Sequence, residues 1–272
     1  MKSSKSLRRI WDEPQLTGKK TVCPGFGRDI LSGWEALRGF PGLFKKSSGN
    51  WEGLSFFTNN SSTSTQKYVE KLRGMGIDAT EDDIATSADV MIDFLKRERR
   101  GKTVYLCATK ETYTQFEQAG IPLTEQRPDL VVLTFDKELT YHKIERMCTF
   151  IRQGAEYLCT HPDENCPTAA GPIPDCGSFA AMIAVSTGGA YPRYVGKPFR
   201  ETIEMVKHKK GVCEQEIVFV GDRLQTDIAI GANHGVASIL VLSGVTTREM
   251  EQNGEIHPTW VYEKLSDITP CL

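Results

Sequence analysis

At 272 residues the chain is long enough for one large domain or two smaller ones, each with a full core. Its 33 basic and 35 acidic residues leave a net charge of −2, which excludes an electrostatic drive toward nucleic acid or an anionic membrane. No apolar run approaches the ~20 residues of a bilayer span.

Met1 to Arg9 is basic and Ser-rich, with no apolar segment after it, so no secretory signal is read. The eight cysteines are scattered without a C-x-x-C pair, and Cys107 and Cys159 lie inside strand-like runs. Buried reduced thiols in a cytoplasmic protein are expected.

In chain order, Thr21-Val22-Cys23 reads as a short strand and Leu54-Ser55-Phe56-Phe57 as a second, ending at Thr58-Asn59-Asn60-Ser61-Ser62. A helix from about Ser64 to Met75 places Tyr68, Val69, Leu72 and Met75 on one face, and Gly76 closes it. Val104 to Cys107 is a strand, followed by a helix to about Ala119. Asp129 to Phe135 is the next strand, then a helix over 141–152 and a strand at Glu156 to Cys159. Beyond Gly188-Gly189 come Tyr194-Val195-Gly196-Lys197-Pro198, a helix to about Lys209, a strand over 216–220, a short helix and a strand over 238–242. This alternation predicts an α/β fold with a Rossmann-like, mainly parallel core sheet. The expected core is discontinuous, 1–86 with 187–272, and an inserted α/β cap occupies 87–186.

Cys159, His161, Cys166 and Cys176 are soft ligands close in sequence, but their spacing fits no common zinc motif. Pro162, Pro167, Pro172 and Pro174 point to an ordered loop there.

The segment Val218 to Ile228 carries the most chemistry. A β-branched run breaks at Gly221, and Asp222 and Asp227 follow before a helical pattern. Asp222 thereby falls at the carboxyl end of a buried strand, where open α/β sheets gather ligands, and a carboxylate there suits Mg²⁺. The plainer alternative makes Asp222 a helix N-cap and Asp227 a solvated helix residue. Thr58-Asn59-Asn60 ends a strand with a hydroxyl, two amides and backbone N–H groups, which suits an oxyanion; Ser61 or Ser62 as a helix N-cap is compatible with that. Lys197 sits before a helix expected to begin at Pro198, where its ammonium can neutralise a phosphoryl group.

Together these strings resemble the haloacid-dehalogenase (HAD) phosphatases, in the nitrophenylphosphatase-like branch with an α/β cap. Leu54 to Ser62 resembles the family's second motif, Val195 to Pro198 its third and Val218 to Ile228 its fourth, within a likeness running from about Lys20 to Thr247. The resemblance implies dephosphorylation of a small phosphorylated metabolite through an aspartyl-phosphate, with Mg²⁺ as cofactor. It implies that Thr58 and Lys197 hold the phosphoryl oxygens, Asn59 orients the site, Asp222 ligates the metal and Asp227 supports it. Asp163, Pro167, Thr168 and Ser178 would face the substrate from the cap. A homodimer through the cap is expected, with neither nucleic acid nor membrane as partner.

The family's first motif, D-x-D-G-T after the first strand, is missing. Gly25 stands where the nucleophilic Asp belongs and Gly27 where the general acid belongs, and neither can form a phosphoenzyme or protonate a leaving group. Arg28 replaces a Gly, and Asp29 would serve as nucleophile only if the loop moved. The chain as written is therefore expected to be impaired or inactive. One coding of Gly25 to Asp29, GGA-TTT-GGA-CGG-GAC, reads Asp-Leu-Asp-Gly-Thr once its first base is dropped and an A is added. Ser47 to Gly53, coded AGC-TCC-GGG-AAC-TGG-GAA-GGG, likewise reads Leu-Arg-Glu-Leu-Gly-Arg two bases on. Compensated frameshifts would explain both, and the DNA sequence of codons 23–53 tests it. Two other readings are a non-catalytic protein that senses a phosphorylated ligand, and a dinucleotide-binding oxidoreductase. The second rests on Gly25-x-Gly27 after a strand, but Ile30 occupies the place of the required third Gly.

Overall fold

The structure, a computed structural model, describes residues 21–24, 53–74, 78–168, 170–265 and 267–268. Strands β1 (Thr21–Pro24), β2 (Gly53–Leu54) and β3 (Phe56–Thr58) lead to helix α1 (Thr65–Gly74), β4 (Ile84–Thr86) and α2 (Ser87–Glu98). Next come β5 (Val104–Cys107), α3 (Lys110–Gln118), β6 (Leu130–Leu133), α4 (Tyr141–Arg152) and β7 (Glu156–Cys159). The hairpin β8 (Asn165–Thr168) and β9 (Gly171–Pro174), α5 (Cys176–Thr187) and β10 (Arg193–Tyr194) follow. The last part holds α6 (Arg200–Lys210), β11 (Ile217–Gly221), a π-type turn over Leu224–Ile228, α7 (Ala229–His234), β12 (Ala237–Val241), α8 (Arg248–Asn253) and β13 (Trp260–Tyr262).

The core sheet is parallel, in the order β13-β12-β11-β1-β2, and β3 pairs in parallel with β4 immediately beyond Ser55. A second parallel sheet, β10-β7-β6-β5, is separate from it, and no described strand between 100 and 160 joins the core. This is the expected parallel-sheet core with an inserted cap. Tyr194 pairs with Cys159, so the cap sheet takes a strand from beyond residue 187, while α2 packs against α6.

Strands buried on both faces make continuous apolar runs, and alternate residues feed different cores. Phe56, Val218 and Val220 face α1 through Tyr68, Val69 and Leu72. Phe57 and Phe219 point the other way, into a core with Met91, Phe94, Ile203 and Val206 that continues to Leu106, Val132 and Leu158 of the cap. Tyr105, Val131, Leu133 and Tyr157 cover the far side of the cap sheet, under α4 and α5. Capping explains where α2 begins: Asp89 N donates to Thr86 Oγ1 at 3.2 Å, and Thr86 N donates back to Asp89 Oδ2 at 2.7 Å.

Three local expectations change. The Pro-rich stretch is an antiparallel hairpin, with Asn165 opposite Pro174 and Thr168 opposite Gly171. The helix after Lys197 begins at Arg200 with Phe199 as its N-cap, leaving Pro198 outside. Helix α1 begins at Thr65, so Ser61 and Ser62 are not its cap. Met75 and Gly76 lie outside the described residues. Among the described residues no helix is long and apolar enough to cross a membrane.

Candidate active site

Thr58 closes β3, Lys197 follows β10 and Asp222 follows β11, so strand ends deliver all three to one place. They line a cavity of about 340 Å³ together with Asn59, Asp227 and the cap residue Asp163. Pro167 and Thr168 form part of its cap wall. Ser178 does not line it: its hydroxyl donates to Glu164 O at 2.7 Å. The carboxyl end of β1 lies between β11 and β2 in the sheet, with Pro24 in register with Val220. Gly25, Gly27, Arg28 and Asp29 come next in the chain and lie outside the described residues, as does most of the Ser47 to Gly53 stretch.

Asp222 is 1% exposed, and Asp227 is buried beside it, so neither is a solvated helix residue. The turn after β11 begins at Leu224 with Arg223 as its N-cap, which rules Asp222 out of that place. Asp222 Oδ2 accepts from Val245 N at 3.1 Å, while its Oδ1 is buried without a partner among the described residues. Burial, and then the charge of Asp227, push the Asp222 carboxyl above its ordinary pKa. Two glycines permit this packing. A Cβ on Gly221 would stand 2.2 Å from Asp227 Cβ, and one on Gly244 would stand 2.2 Å from Asp222 Oδ2.

Lys197 Nζ donates to Asp227 Oδ1 at 2.5 Å and lies 4.9 Å over the Phe57 ring. Its backbone is held by Asn59: Lys197 N donates to Asn59 Oδ1 and Asn59 Nδ2 donates to Lys197 O, both at 3.0 Å. Asn59 Nδ2 also lies 3.4 Å from each carboxylate oxygen of Asp163. Thr58 Oγ1 accepts from Asn60 N at 3.1 Å and hydrogen-bonds the Tyr68 hydroxyl, whose pKa burial pushes up to about 12. Tyr68, Arg223 and Asp175 also line the cavity and were not singled out as site residues. Tyr68 reads as an ordinary core position of α1, whereas Arg223 could have been found from its place directly after Asp222.

The loop from Thr58 to Ser64 is bonded to the cap as well as to the core. Thr112 Oγ1 donates to Ser61 O at 2.7 Å, Thr109 Oγ1 to Ser62 O at 3.1 Å and Phe135 N to Ser61 Oγ at 2.9 Å. Ser64 N donates to Glu111 Oε1 at 2.7 Å, and Lys67 Nζ reaches Glu111 Oε2 at 2.6 Å.

Of the four soft-ligand candidates, His161 and Cys176 come together with Asp175, their ligand atoms within 4.8 Å of one another. Protein hydrogen bonds already use these groups: His161 Nε2 meets Asp175 Oδ1 at 2.9 Å, and Cys176 Sγ lies 3.6 Å from Thr160 Oγ1. Cys159 donates its thiol to His161 O at 3.4 Å, and Cys166 sits on the hairpin.

An acid sugar phosphatase of Staphylococcus aureus (strain USA300) is 34% identical over 215 residues, 78% of this chain and 82% of that protein. The chain belongs to the haloacid-dehalogenase-like hydrolases. The HAD-hydrolase-like family matches residues 194–268, and the haloacid dehalogenase-like hydrolase family matches 30–122, beginning just after Asp29. A 4-nitrophenylphosphatase from Thermotoga maritima superposes with a TM-score of 0.82 at 35% identity, covering 94% of this chain and 98% of that one. A p-nitrophenyl phosphatase from Archaeoglobus fulgidus gives 0.81 at 25% identity, covering 93% and 99%. Within the HAD hydrolases the chain is thus a nitrophenylphosphatase-like phosphatase.

Proposed function

We propose that this HAD phosphatase binds a small phosphorylated metabolite with its phosphoryl group between Thr58, Lys197 and the Asp222–Asp227 pair. The convergence of those four groups on one cavity carries the reading. Lys197, its backbone held by the Asn59 amide, supplies a buried ammonium, and Thr58 supplies a hydroxyl at the mouth of β3. Asp163, Pro167 and Thr168 face the rest of the substrate from the cap; Ser178 has no such place.

The donor set fits Mg²⁺. Asp222 Oδ1 is a buried carboxylate oxygen without a partner among the described residues, a costly arrangement that a hard cation relieves. Asp222 would hold the ion and Asp227 would support it. When bound, Mg²⁺ supplies positive charge to the phosphoryl oxygens.

Gly25 and Gly27 leave the chain without the carboxylates the family uses as nucleophile and acid, so as written it is impaired or inactive. The same observation favours the second reading, a phospholigand-binding protein on this scaffold. Orthophosphate titration with Mg²⁺, alongside turnover of p-nitrophenyl phosphate, tests both. Binding with negligible turnover is expected of the chain as written. Replacing Pro24 to Asp29 by Phe-Asp-Leu-Asp-Gly-Thr should restore turnover, because the remaining cradle is in place. Equal rates before and after the repair would mean that the nucleophile lies elsewhere. A repaired chain that binds phosphate without turnover would favour the binding protein.

The same reading keeps the inserted cap expected over 87–186, with β10 joining its sheet from just beyond and α2, at its start, packed against α6 of the core. It also places a homodimer contact on the cap. Helix α5 is apolar nearly all round, with Met182 41% and Val185 88% exposed, and Tyr191 beyond it is 63% exposed.

A further inference from the structure

A second cavity, of about 530 Å³, lies at the β5 edge of the cap sheet and shares no lining residue with the phosphate cavity. Its size is that of a small-molecule pocket. Leu106, Tyr105 of β5 and Tyr113 of α3 give it apolar and aromatic walls, while Glu125, Lys143 and Arg146 bring charge. These walls are held in place. The Tyr105 and Phe150 rings pack with centroids 5.1 Å apart, and the Arg146 guanidinium lies 4.4 Å over the same Phe150 ring. Arg146 also donates to the carbonyl oxygen of Glu125. On either side of Glu125 the loop is tied down: Thr124 N donates to Val104 O at 2.9 Å, and Gln126 N donates to Thr124 Oγ1 at 3.1 Å.

Of the three charges, two are open to a ligand. Lys143 is taken, because its Nζ donates to Asp136 Oδ2 at 2.6 Å and to Ala108 O at 2.8 Å. The Arg146 guanidinium has no carboxylate partner among the described residues, and the Glu125 carboxylate has no cationic one, although the guanidinium rests on the Glu125 main chain. An acid and a base fixed on one wall without pairing suit a ligand that carries both charges itself. Tyr105 adds a third polar group. It is only 2% exposed, it lines the cavity, and its hydroxyl has no hydrogen-bond partner among the described residues. Such a hydroxyl is costly unless something in the cavity meets it. Burial, and then the charge of Glu125, push the phenol above its ordinary pKa while Arg146 opposes them, so it stays protonated and can donate. The charges of Glu125 and Arg146 thus both reach the Tyr105 hydroxyl.

We propose that this cavity binds a free α-amino acid with a large apolar side chain, its carboxylate on Arg146 and Tyr105 and its ammonium on Glu125. In an α-amino acid one carbon carries both charged groups, so one guanidinium and one carboxylate on the same wall serve them together. The guanidinium fork matches a carboxylate, and the phenol donates to it as well. A ligand with the carboxylate alone would leave Glu125 unmatched and repelling, and one with the amine alone would leave Arg146 so. Leu106 and the rings of Tyr105 and Tyr113 receive the side chain. The site stands apart from the phosphate-binding reading and does not depend on it.

Calorimetric titration of the full chain with L-phenylalanine tests this. One equivalent should bind, while hydrocinnamate, which lacks the amine, and phenethylamine, which lacks the carboxylate, should each bind at least about tenfold more weakly. Glu125→Gln and Arg146→Met should each reduce the affinity for L-phenylalanine about tenfold, as expected for loss of a charge-assisted hydrogen bond. Tyr105→Phe, which removes a neutral donor, should reduce it about fivefold. If Arg146→Met fails to fold, Glu125→Gln, on an exposed residue, carries the test together with Tyr105→Phe. Failure of L-phenylalanine to bind overturns the proposal. Hydrocinnamate or phenethylamine binding as tightly as L-phenylalanine overturns the requirement for both charges and the ligand class with it. L-phenylalanine affinity unchanged in the variants puts the binding elsewhere and takes this cavity out of the proposal.

Discussion

Lys197 and Asp227 form a buried ion pair at the carboxyl edge of the core sheet, Nζ to Oδ1 at 2.5 Å, with side chains 5% and 6% exposed. A buried pair of this kind is a weak source of net stability, but removing one partner strands the other charge. Lys197→Met should therefore lower stability by about 3–5 kcal/mol and abolish orthophosphate binding. Lys197→Met combined with Asp227→Asn should regain most of the stability and none of the binding. Denaturant melts and calorimetry on the three proteins check this, and full phosphate affinity in either variant would remove Lys197 from the cradle.

Asp222 predicts a dependence on pH with the opposite sense to that of most carboxylates. Its folded pKa is raised by burial and by Asp227, so its contribution to stability is full below the unfolded value and is lost as pH rises through the folded value. In EDTA, Asp222→Asn should melt higher than wild type near neutral pH, and the gap should close on acidification. Mg²⁺ should raise the wild-type melting temperature and leave that of Asp222→Asn nearly unchanged. Equal Mg²⁺ shifts in the two proteins would take the metal away from Asp222.

Glu111 behaves in the usual sense. Partial burial opposes its ionisation, but hydrogen bonds from Lys67 and Ser64 prevail and hold the carboxyl at about 2. That contribution is present above the unfolded carboxyl range and is lost as pH falls toward about 2. Glu111→Gln should be less stable than wild type at neutral pH, with the difference vanishing in strong acid. A constant difference across an acid titration would mean that shape, not charge, holds this contact.

The cap surface predicts the state of assembly. Val185→Arg on the exposed face of α5 should convert a dimer to a monomer without lowering the melting temperature of the isolated subunit. Light scattering after size exclusion gives the masses. A monomeric wild-type protein would leave this face without the proposed role.

Legibility in the sequence followed burial. Val104–Cys107, Tyr141–Arg152 and Glu156–Cys159 were read to the residue, because each buries a regular apolar pattern. Trp260–Tyr262 is only half-buried and Ile84–Thr86 only three residues long, so neither announces itself as a strand. The hairpin Asn165–Pro174 carries Pro167, Pro172 and Pro174, which argue against a strand within a sheet but are tolerated in an isolated two-stranded ribbon. Thr58, Lys197, Asp222 and Asp227 were readable because each stands at or just beyond a strand end or turn. Tyr105, Glu125 and Arg146 were not readable as a unit, since only folding brings β5, the loop after α3 and the middle of α4 together.

The loop between Thr58 and Ser64 ties the core sheet to the cap. Its first residues line the cavity, and its later ones are hydrogen-bonded to Thr109, Glu111, Thr112 and Phe135 of the cap. Motion that parts the two sheets must either break those bonds together or drag the loop along with the cap. In the second case, with phosphate bound as proposed, Thr58 and Asn59 leave the anion as the cap leaves the core. Admission of substrate and loss of grip on its phosphate then become a single mechanical event, so a slower cap means both slower entry and slower escape.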